Sequence, residues 1–361
     1  MTVVLYGATG YTGRLVTEEL RRRGAPHVLS GRDTGKLGRL AAGHDAPVRA
    51  VALEDEAGLR SLLADAAVVI NCAGPFTAAG DGLVRAAVAT RTHYVDSTGE
   101  QPFIRAIFER HGADAERAGV ALVPALGFDY APGDCVAHLT ARGVEPLAEI
   151  VVAYGVEGFG ASRGTMRSTL AIMSGSQTVY EDGRWSDEPP RAERASFDFG
   201  APIGRRPVVR YPAGEVITVP RHTRTRRVTT LLTAGTVALH PALAPVVPYT
   251  VPAMAMALRT PLRGLLERAI GALPEGPAED ARRAAAFTIV THARGEDGRT
   301  ARGVVRGTDV YGLTAAALVH GAETLAGAGY DRAGALGPAA AFDPAAFLNR
   351  LGDHGLSWEL G

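Results

Sequence analysis

The chain has 361 residues, of which 46% are hydrophobic, and its 38 Lys and Arg side chains balance 38 Asp and Glu side chains. Because the formal net charge at pH 7 is zero, the composition argues against a surface for nucleic acid or another polyanion. The two cysteines, Cys72 and Cys135, are too few for a disulfide framework and are not spaced as metal ligands. We therefore expect no metal site, and a reducing, cytoplasmic location.

The chain opens on a strand, a glycine-rich loop and a helix. Val3, Val4 and Leu5 predict a buried strand, and no secretory signal is expected where this strand lies. Glycines allow a tight turn that brings backbone N–H groups against a pyrophosphate, and the helix beginning near Thr12 points its positive end at that anion. We therefore expect dinucleotide contacts from the loop and the first helical turn: Gly7, Thr9, Gly10, Tyr11, Thr12 and Gly13.

Strand and helix patterns alternate over the rest of the first third, which predicts a doubly wound parallel sheet. The further strands are predicted at His27–Ser30, Val48–Leu53, Ala67–Cys72, Thr92–Asp96 and Val120–Pro124. The helical patterns between them include Leu59–Leu63, Leu83–Ala89 and Phe103–Arg117. Six strands complete a Rossmann domain, which we assign to residues 1–135.

Longer strands follow, and they predict a second domain of the α+β class over residues 136–310, for substrate binding or dimerisation. These strands are predicted at Ala148–Glu157, Glu215–Val219, Arg226–Thr233, Phe287–Ala293 and Thr300–Gly307, the last two forming a hairpin. Residues 189–212 and 327–338 are predicted to be irregular. Residues 311–361 are assigned to C-terminal helices, Thr314–Leu325 and Pro344–Leu351, that pack back on the Rossmann domain. A homodimer is the assembly that this organisation favours.

An apolar stretch, Thr236–Leu258, has about the length of a bilayer span. Four prolines interrupt it, which disfavours a spanning helix. We expect instead a buried or subunit-facing segment, or a wall of an apolar substrate pocket, and no membrane span.

The end of the second strand bears on the choice of cofactor. Asp33 lies near the spacing of the acidic residue that binds the ribose of NAD, so NAD stays open. Ser30 at the strand end, followed by Arg32 and Lys36, instead suits the 2′-phosphate of NADP. Asp33 is then expected to cap the next helix. We favour NADP(H), with contacts from Ser30, Arg32 and Lys36.

The fourth strand ends in a turn of small residues, at the point where a nicotinamide ribose passes a doubly wound sheet. Glycine allows close approach of the backbone there, and proline stiffens the loop. We expect further cofactor contacts from this turn: Ala73, Gly74, Pro75 and Phe76.

Five motifs together resemble the saccharopine dehydrogenase-like reductases, and in particular the bacterial branch of trans-acting enoyl reductases. They are GATGYTG (7–13), SGRD (30–33), NCAGPF (71–76), THYVDSTGE (92–100) and GFDYAPGD (127–134). The resemblance implies a Rossmann domain, NADP(H), and reduction of a C=N or activated C=C bond in a small-molecule or carrier-bound substrate of a biosynthetic or secondary-metabolic pathway. The alternative is a non-catalytic NADP-binding scaffold that partners a larger synthase, because no side chain is marked decisively as a proton donor.

Three residues are candidates for the proton transfer that accompanies hydride transfer. Asp129 and Tyr130 follow the sixth strand, at the edge of the sheet where the cofactor is expected, and His222 lies between two strand patterns. The competing interpretations are a helix cap or turn carboxylate for Asp129, packing for Tyr130 and simple exposure for His222.

The segment from Ser162 to Ser168 opens a helix and forms a second candidate site. Its N-terminus, with Arg163, Thr165 and Arg167, suits a carboxylate or phosphate of the substrate. A capped amphipathic helix with solvated arginines is the alternative.

Overall fold

The computed structural model describes residues 2–43, 46–189, 195–237, 256–258, 260 and 262–361. The chain divides into two compact units. Unit 1 comprises Met1–Ala131 and Tyr311–Asp343, and unit 2 comprises Pro132–Val310 and Pro344–Gly361. Each unit has its own sheet.

Within the described residues, the sheet of unit 1 has seven strands, and all of its pairings are parallel. The strands are β1 (Thr2–Tyr6), β2 (His27–Gly31), β3 (Val48–Ala50), β4 (Ala66–Asn71), β5 (His93–Asp96), β6 (Ala121–Val123) and Gly334–Ala335. The order β3-β2-β1-β4-β5-β6 continues into Gly334–Ala335. Since β1 lies between β2 and β4, the strand order reverses there, and the crevice that binds dinucleotides in such sheets opens at the carboxyl ends of these strands.

Helices connect the strands of unit 1. They are α1 (Tyr11–Arg22), α2 (Thr34–Ala41), α3 (Glu56–Leu63), α4 (Phe76–Ala79), α5 (Asp81–Thr90), α6 (Gln101–Ala106), α7 (Gly112–Ala118), Val310–Leu325 and Pro338–Ala341. A π-helical turn, Ile107–His111, joins α6 to α7. Leu59 and Leu63 of α3 pack with Leu83 and Val84 of α5 in a core that also includes Val69 of β4. Covered strands of this kind explain the continuous apolar runs of the sequence.

Unit 2 contains a mixed sheet. Its strands are β7 (Leu147–Glu157), β8 (Gln177–Glu181), β9 (Arg184–Glu188), β10 (Ala195–Asp198), β11 (Arg205–Arg210), β12 (Val228–Thr233), β13 (Ala286–Gly295), β14 (Thr300–Thr308) and Ser357–Leu360. The order is β10-β11-β12-β7-β13-β14 and then Ser357–Leu360, with β8 paired to β12 and β9. Strands β12 and β7 are parallel, whereas β7 and β13 are antiparallel.

The described helices of unit 2 vary in length. They are α8 (Ala131–Ala141), α9 (Arg163–Ser174), α10 (Glu215–Thr218), α11 (Ala234–Val237), Leu262–Ala272, Glu279–Ala284 and Pro344–Leu351, with 3₁₀ turns at Val219–Arg221 and Gly352–His354. An α-helix and a 3₁₀ turn therefore occupy Glu215–Val219, and the strand predicted there is wrong. All five of these residues are buried, and a short, fully buried apolar run has the same pattern in a strand and in a helix.

Other predictions meet different outcomes. The fold class, a doubly wound parallel sheet followed by an α+β part, is confirmed, and so is the hairpin of β13 and β14. The irregular segment predicted over residues 189–212 is wrong where it is described, because β10 and β11 pair antiparallel there. Pro207 lies inside β11, and a proline in a run of residues weakens the sequence signal for a strand.

The C-terminal residues divide between the two units, 311–343 with unit 1 and 344–361 with unit 2. Most of the apolar stretch Thr236–Leu258 lies outside the described residues. Among the helices that are described, none combines the length and the apolar character needed to cross a bilayer.

The close packing of α1 on the first loop gives a stability test with an internal control. A Cβ atom at Gly13 would lie 2.2 Å from the carbonyl oxygen of Gly7, whereas a Cβ atom at Gly38 of α2 meets no atom within 4 Å. We expect Gly13→Ala to lower the free energy of unfolding by about 1–3 kcal/mol through overpacking. Gly38→Ala should raise it by up to about 1 kcal/mol through helix propensity. Urea unfolding followed by circular dichroism measures both, and a Gly13→Ala protein as stable as the native chain would contradict the packing argument.

Candidate functional site

The glycine-rich loop is fixed to the neighbouring strand by backbone hydrogen bonds. The amides of Gly7 and Ala8 both donate to the carbonyl oxygen of Ser30, at 2.9 and 3.1 Å, and the Gly10 amide donates to the Gly7 carbonyl at 3.0 Å. Gly7 has a φ of +83°, and a Cβ atom there would lie 2.8 Å from the Ala73 amide nitrogen. Only glycine meets both constraints. The loop is therefore a rigid turn.

Helix α1 begins without a side-chain cap. Its N-cap residue is Gly10, and no acidic residue lies in its first turn. In contrast, Asp33 caps α2 and Asp55 caps α3. A Cβ atom at Gly10 would have the Gly7 carbonyl oxygen, at 3.3 Å, as its nearest neighbour. A bare helix N-terminus beside open space is the environment that a pyrophosphate requires, so these residues fit a dinucleotide.

The flanks of this turn are half-buried. Thr9, Tyr11 and Thr12 are all partly exposed, while Gly10 is exposed. The carbonyl oxygen of Thr9 accepts a hydrogen bond from Arg14 at 3.0 Å, and the ring of Tyr11 packs edge-on against Tyr311, with centroids 5.0 Å apart. The predicted loop contacts therefore lie together at one end of α1.

The residues at and after the end of β2 that are predicted to contact the adenosine end of the cofactor differ in burial. Ser30 is fully buried, and its hydroxyl donates to the carbonyl oxygen of Arg49 at 2.7 Å. Arg32 and Lys36 are exposed, and neither has a carboxylate partner among the described residues. The carboxylate of Asp33 accepts from the Lys36 amide at 2.9 Å, and that hydrogen bond lowers the pKa of Asp33. The helix cap expected of Asp33 is confirmed.

Two buried side chains set the turn after β4, which contains the predicted contacts Ala73, Gly74, Pro75 and Phe76. The side-chain oxygen of Asn71 accepts from the Ala73 amide at 3.0 Å. The carboxylate of Glu100 accepts from the amides of Phe76, at 3.0 Å, and Thr77, at 2.8 Å. Glu100 is 1% exposed. Sequence reasoning missed this clamp, the pair of hydrogen bonds that Glu100 accepts. Its only signal in the sequence was an acidic residue at the end of the fifth-strand motif.

Asp96 joins the ends of β5 and β6. It is fully buried, and its Oδ1 atom accepts from the amides of Thr98 and Ala125, each at 2.9 Å. Burial raises the pKa of Asp96 to about 7, although the two amide hydrogen bonds act in the opposite direction. This carboxyl is held by the backbone on both sides, which is a structural role.

The structure brings the candidates Asp129 and Tyr130 together beside the end of β5. The hydroxyl of Tyr130 donates to the carbonyl oxygen of Gly99 at 3.0 Å. A Cβ atom at Gly99 would lie 3.5 Å from Oδ2 of Asp129 and 3.3 Å from the Tyr130 hydroxyl. Burial of its carboxyl raises the pKa of Asp129 to about 7, and a hydrogen bond with its own amide partly offsets this. At neutral pH such a carboxyl holds its proton part of the time, as a general acid must.

The third candidate, His222, belongs to unit 2. Its Nε2 atom lies 2.9 Å from Oδ1 of the fully buried Asp134, and its Nδ1 atom lies 3.2 Å from Nδ1 of His138 and 3.1 Å from the Thr223 hydroxyl. Burial lowers the pKa of His222, but the charge and hydrogen bond of Asp134 outweigh it, and the pKa lies above its ordinary value. Both ring nitrogens thus have partners within the protein.

The start of α9, the other candidate site, is already capped. The hydroxyl of Ser162 accepts from the Thr165 amide at 3.1 Å. The guanidinium of Arg163 lies 2.8 Å from the carboxylate of Glu275 and donates to the carbonyl oxygen of Gly271. Arg167 follows one turn later and is exposed. The side-chain cap agrees with the alternative interpretation of this segment, but Arg163 is ion-paired and not solvated as that alternative expects.

Comparison with known proteins gives a family match in the first third of the chain. Residues 3–123 match the family described as the saccharopine dehydrogenase NADP binding domain. A trans-acting enoyl reductase of Mycobacterium bovis is 36% identical over 151 residues, which cover 40% of this chain and 36% of that protein. A saccharopine dehydrogenase-like oxidoreductase of Bos taurus is 26% identical over 192 residues, which cover 46% and 45% of the two chains.

The match to solved structures extends further along the chain. The apo form of saccharopine dehydrogenase (L-Glu forming) from Saccharomyces cerevisiae aligns with a TM-score of 0.64 over 100% of this chain and 99% of that one, at 14% identity. At this identity the alignment shows a shared fold. The chain spans about half the length, or less, of the curated relatives it matches. The likeness to the saccharopine dehydrogenase NADP binding domain is therefore found in residues 3–123, the part of the chain that carries the glycine-rich loop.

Proposed function

We propose that the protein is an NADPH-dependent reductase that delivers hydride to an activated C=C or C=N bond. The observation that carries the proposal is that two findings concern the same residues. The residues that match an NADP binding domain contain the α1 start that lacks a side-chain cap and an acidic first turn. A helix end of this kind favours an anionic ligand.

The proposed cofactor contacts follow from the geometry of unit 1. The backbone from Gly10 to Gly13 holds the pyrophosphate, and the exposed Arg32 and Lys36 hold the 2′-phosphate. The turn that Glu100 clamps borders the nicotinamide. The bound cofactor supplies the hydride, so the protein has to orient the substrate and supply a proton.

The proton donor that we propose is Asp129, with Tyr130 as the neighbouring group that positions it. The pKa of the Asp129 carboxyl, about 7, leaves this group protonated in slightly acidic solution. Tyr130 is almost completely buried and is fixed to Gly99, so it restricts the space around the carboxyl. His222, whose nitrogens both have protein partners, is a less suitable donor.

For the substrate we propose a conjugated enoyl group carried as a thioester, with an imine as the second possibility. Support comes from relatives named trans-acting enoyl reductases. We further propose that the protein works in the cytoplasm, in keeping with two free cysteines, Cys72 and Cys135. The competing function is a non-catalytic NADP-binding scaffold, which shares the cofactor site but transfers no hydride.

Loss of NADPH absorbance in the presence of three substrate classes tests the function. We expect turnover with enoyl thioesters of coenzyme A or of a carrier protein, and the panel includes enones and preformed cyclic imines. Gly10→Asp should abolish NADPH binding because it places a carboxylate at the proposed pyrophosphate site, whereas Gly38→Asp on α2 serves as the matched control. Calorimetric binding of NADPH without oxidation by any member of the panel would favour the scaffold instead.

The preference for the phosphorylated cofactor depends on Arg32. We expect Arg32→Gln to weaken NADPH binding by about 10- to 100-fold, the worth of a hydrogen bond to a charged group, and to leave NADH binding unchanged. Arg39→Gln, which alters an exposed arginine in the last turn of α2, the helix that follows Arg32, is the control. Isothermal titration calorimetry with both cofactors measures the effect. An equal loss of affinity for NADPH and NADH would show that Arg32 does not bind the 2′-phosphate.

The protonation of Asp129 predicts a pH profile. Because its pKa is raised to about 7, the acid form is present below that pH, and kcat at saturating NADPH should fall as the pH rises above about 7. Asp129→Asn should lower kcat by about 100-fold or more without changing NADPH affinity. Asp114→Asn, at an exposed position, is the control. An Asp129→Asn enzyme that keeps both its rate and its pH profile would exclude Asp129 as the donor.

A further inference from the structure

An open cleft of about 540 Å³ lies on unit 2, beside the first residues of β7 and the segment that leads into β12. It is lined by the side chains of Tyr180 and of three arginines, Arg221, Arg224 and Arg226. The sequence analysis singled out only one residue of this lining, His222, as a candidate for proton transfer.

The backbone around the cleft is fixed by hydrogen bonds. The Leu147 amide donates to the Arg224 carbonyl at 2.8 Å, and the Arg226 amide donates to the Leu147 carbonyl at 3.0 Å. Residues 224–226 therefore run extended beside β7, and side chains two residues apart in such a segment point to the same side. Arg224 and Arg226 thus face the cleft as a pair about 7 Å apart along the backbone.

Positive charge prevails in the lining. Three arginines face two glutamates, Glu145 and Glu296. The closest carboxylate oxygens to Arg224 and Arg226 belong to Glu145, at 3.7 Å, and Asp182, at 3.6 Å. Both distances exceed that of a direct hydrogen bond, and the two arginine side chains are 78% and 61% exposed. Their guanidinium groups therefore keep N–H donors for a ligand.

The third arginine is held in place instead. The guanidinium of Arg221 donates to the carbonyl oxygen of Ile217 and lies over the ring of Trp185, 4.5 Å from the ring centroid. Beside it, the cleft is lined by His222, whose Nε2 atom is hydrogen bonded to Asp134. These contacts make one side of the cleft rigid.

The hydroxyl of Tyr180 adds a further donor. The residue as a whole is 8% exposed and lines the cleft, and no described residue is a hydrogen-bond partner of its hydroxyl. Burial raises the pKa of Tyr180, so the phenol keeps its proton at neutral pH. Tyr180 of β8 pairs with Val228 at the start of β12, so its backbone lies beside the segment that carries the two arginines, and all three residues line the same cleft.

We propose that this cleft binds a phosphate group, with the guanidinium groups of Arg224 and Arg226 and the hydroxyl of Tyr180 as its donors. Donors from separate strands suit an anion with three terminal oxygens, and guanidinium groups bind phosphate in a bidentate manner. The ligand is a phosphate monoester, either a small free ester or the phosphate of a carrier such as coenzyme A. The proposal is independent of the reductase activity.

The experiment titrates the full chain, saturated with NADPH so that the glycine-rich loop is occupied, with two probes by calorimetry. Inorganic phosphate represents the free source, and adenosine 3′,5′-bisphosphate represents the carrier. The double variant Arg224→Gln and Arg226→Gln should weaken binding of either probe by about 10-fold or more. Tyr180→Phe should weaken it by about 2- to 10-fold, the worth of one neutral hydrogen bond.

The control is Arg205→Gln, at an exposed arginine of β11 that does not line the cleft, and it should bind both probes as the native chain does. Melting temperatures equal to that of the control verify that each variant is folded. Tighter binding of the bisphosphate assigns the carrier source, and equal affinities assign a free ester. The proposal is overturned if neither probe binds, or if the double variant binds as tightly as Arg205→Gln.

Discussion

Close approach of three backbone segments is the constraint on which the cofactor domain depends. The first loop has to lie against β2, where the backbone carbonyl oxygen of Ser30 accepts hydrogen bonds from two amides of the loop. It also has to lie against the turn after β4, where a side chain at Gly7 would meet the Ala73 amide at 2.8 Å. Helix α1 then packs on the loop at Gly13. Since bare backbone forms each of these contacts, the loop is rigid before a ligand arrives, and binding requires little ordering of the chain.

Carboxylates satisfy the backbone amides at several of the turns around this loop. Asp33 and Asp55 cap the starts of α2 and α3, and buried Glu100 accepts from two amides at the start of α4. In contrast to α2 and α3, helix α1 has neither a side-chain cap nor an acidic first turn, a feature that it shares with the six-residue α6. A negatively charged cap there would repel a phosphate. The uncapped start of α1 is thus compatible with the pyrophosphate site that we propose there.

The sequence predicts unit 1 well and unit 2 less well, for a physical reason. Parallel strands covered by helices give separate apolar runs with helices between them, so β1, β2 and β4 were predicted to within a residue or two. In unit 2, Glu215–Val219 is buried on all sides, and its pattern does not distinguish strand from helix. The clamp by Glu100 depends on a contact 23 to 24 residues distant in the chain, which local pattern does not reveal.

The choice between two aspartates shows what geometry adds to sequence. Asp96 is the last residue of β5 and is fully buried, whereas Asp129 follows β6 and is half-buried as a residue. Burial of the carboxyl raises the pKa of each to about 7. The carboxyl of Asp96 accepts from the amides of Thr98 and Ala125, so moving its proton or its position would disturb two strand ends. The carboxyl of Asp129, in contrast, accepts a backbone hydrogen bond from the amide of Asp129 itself and from no other described residue. Among the described residues, loss of a proton from Asp129 therefore breaks no backbone hydrogen bond to another segment, which suits the donor role that we propose for it.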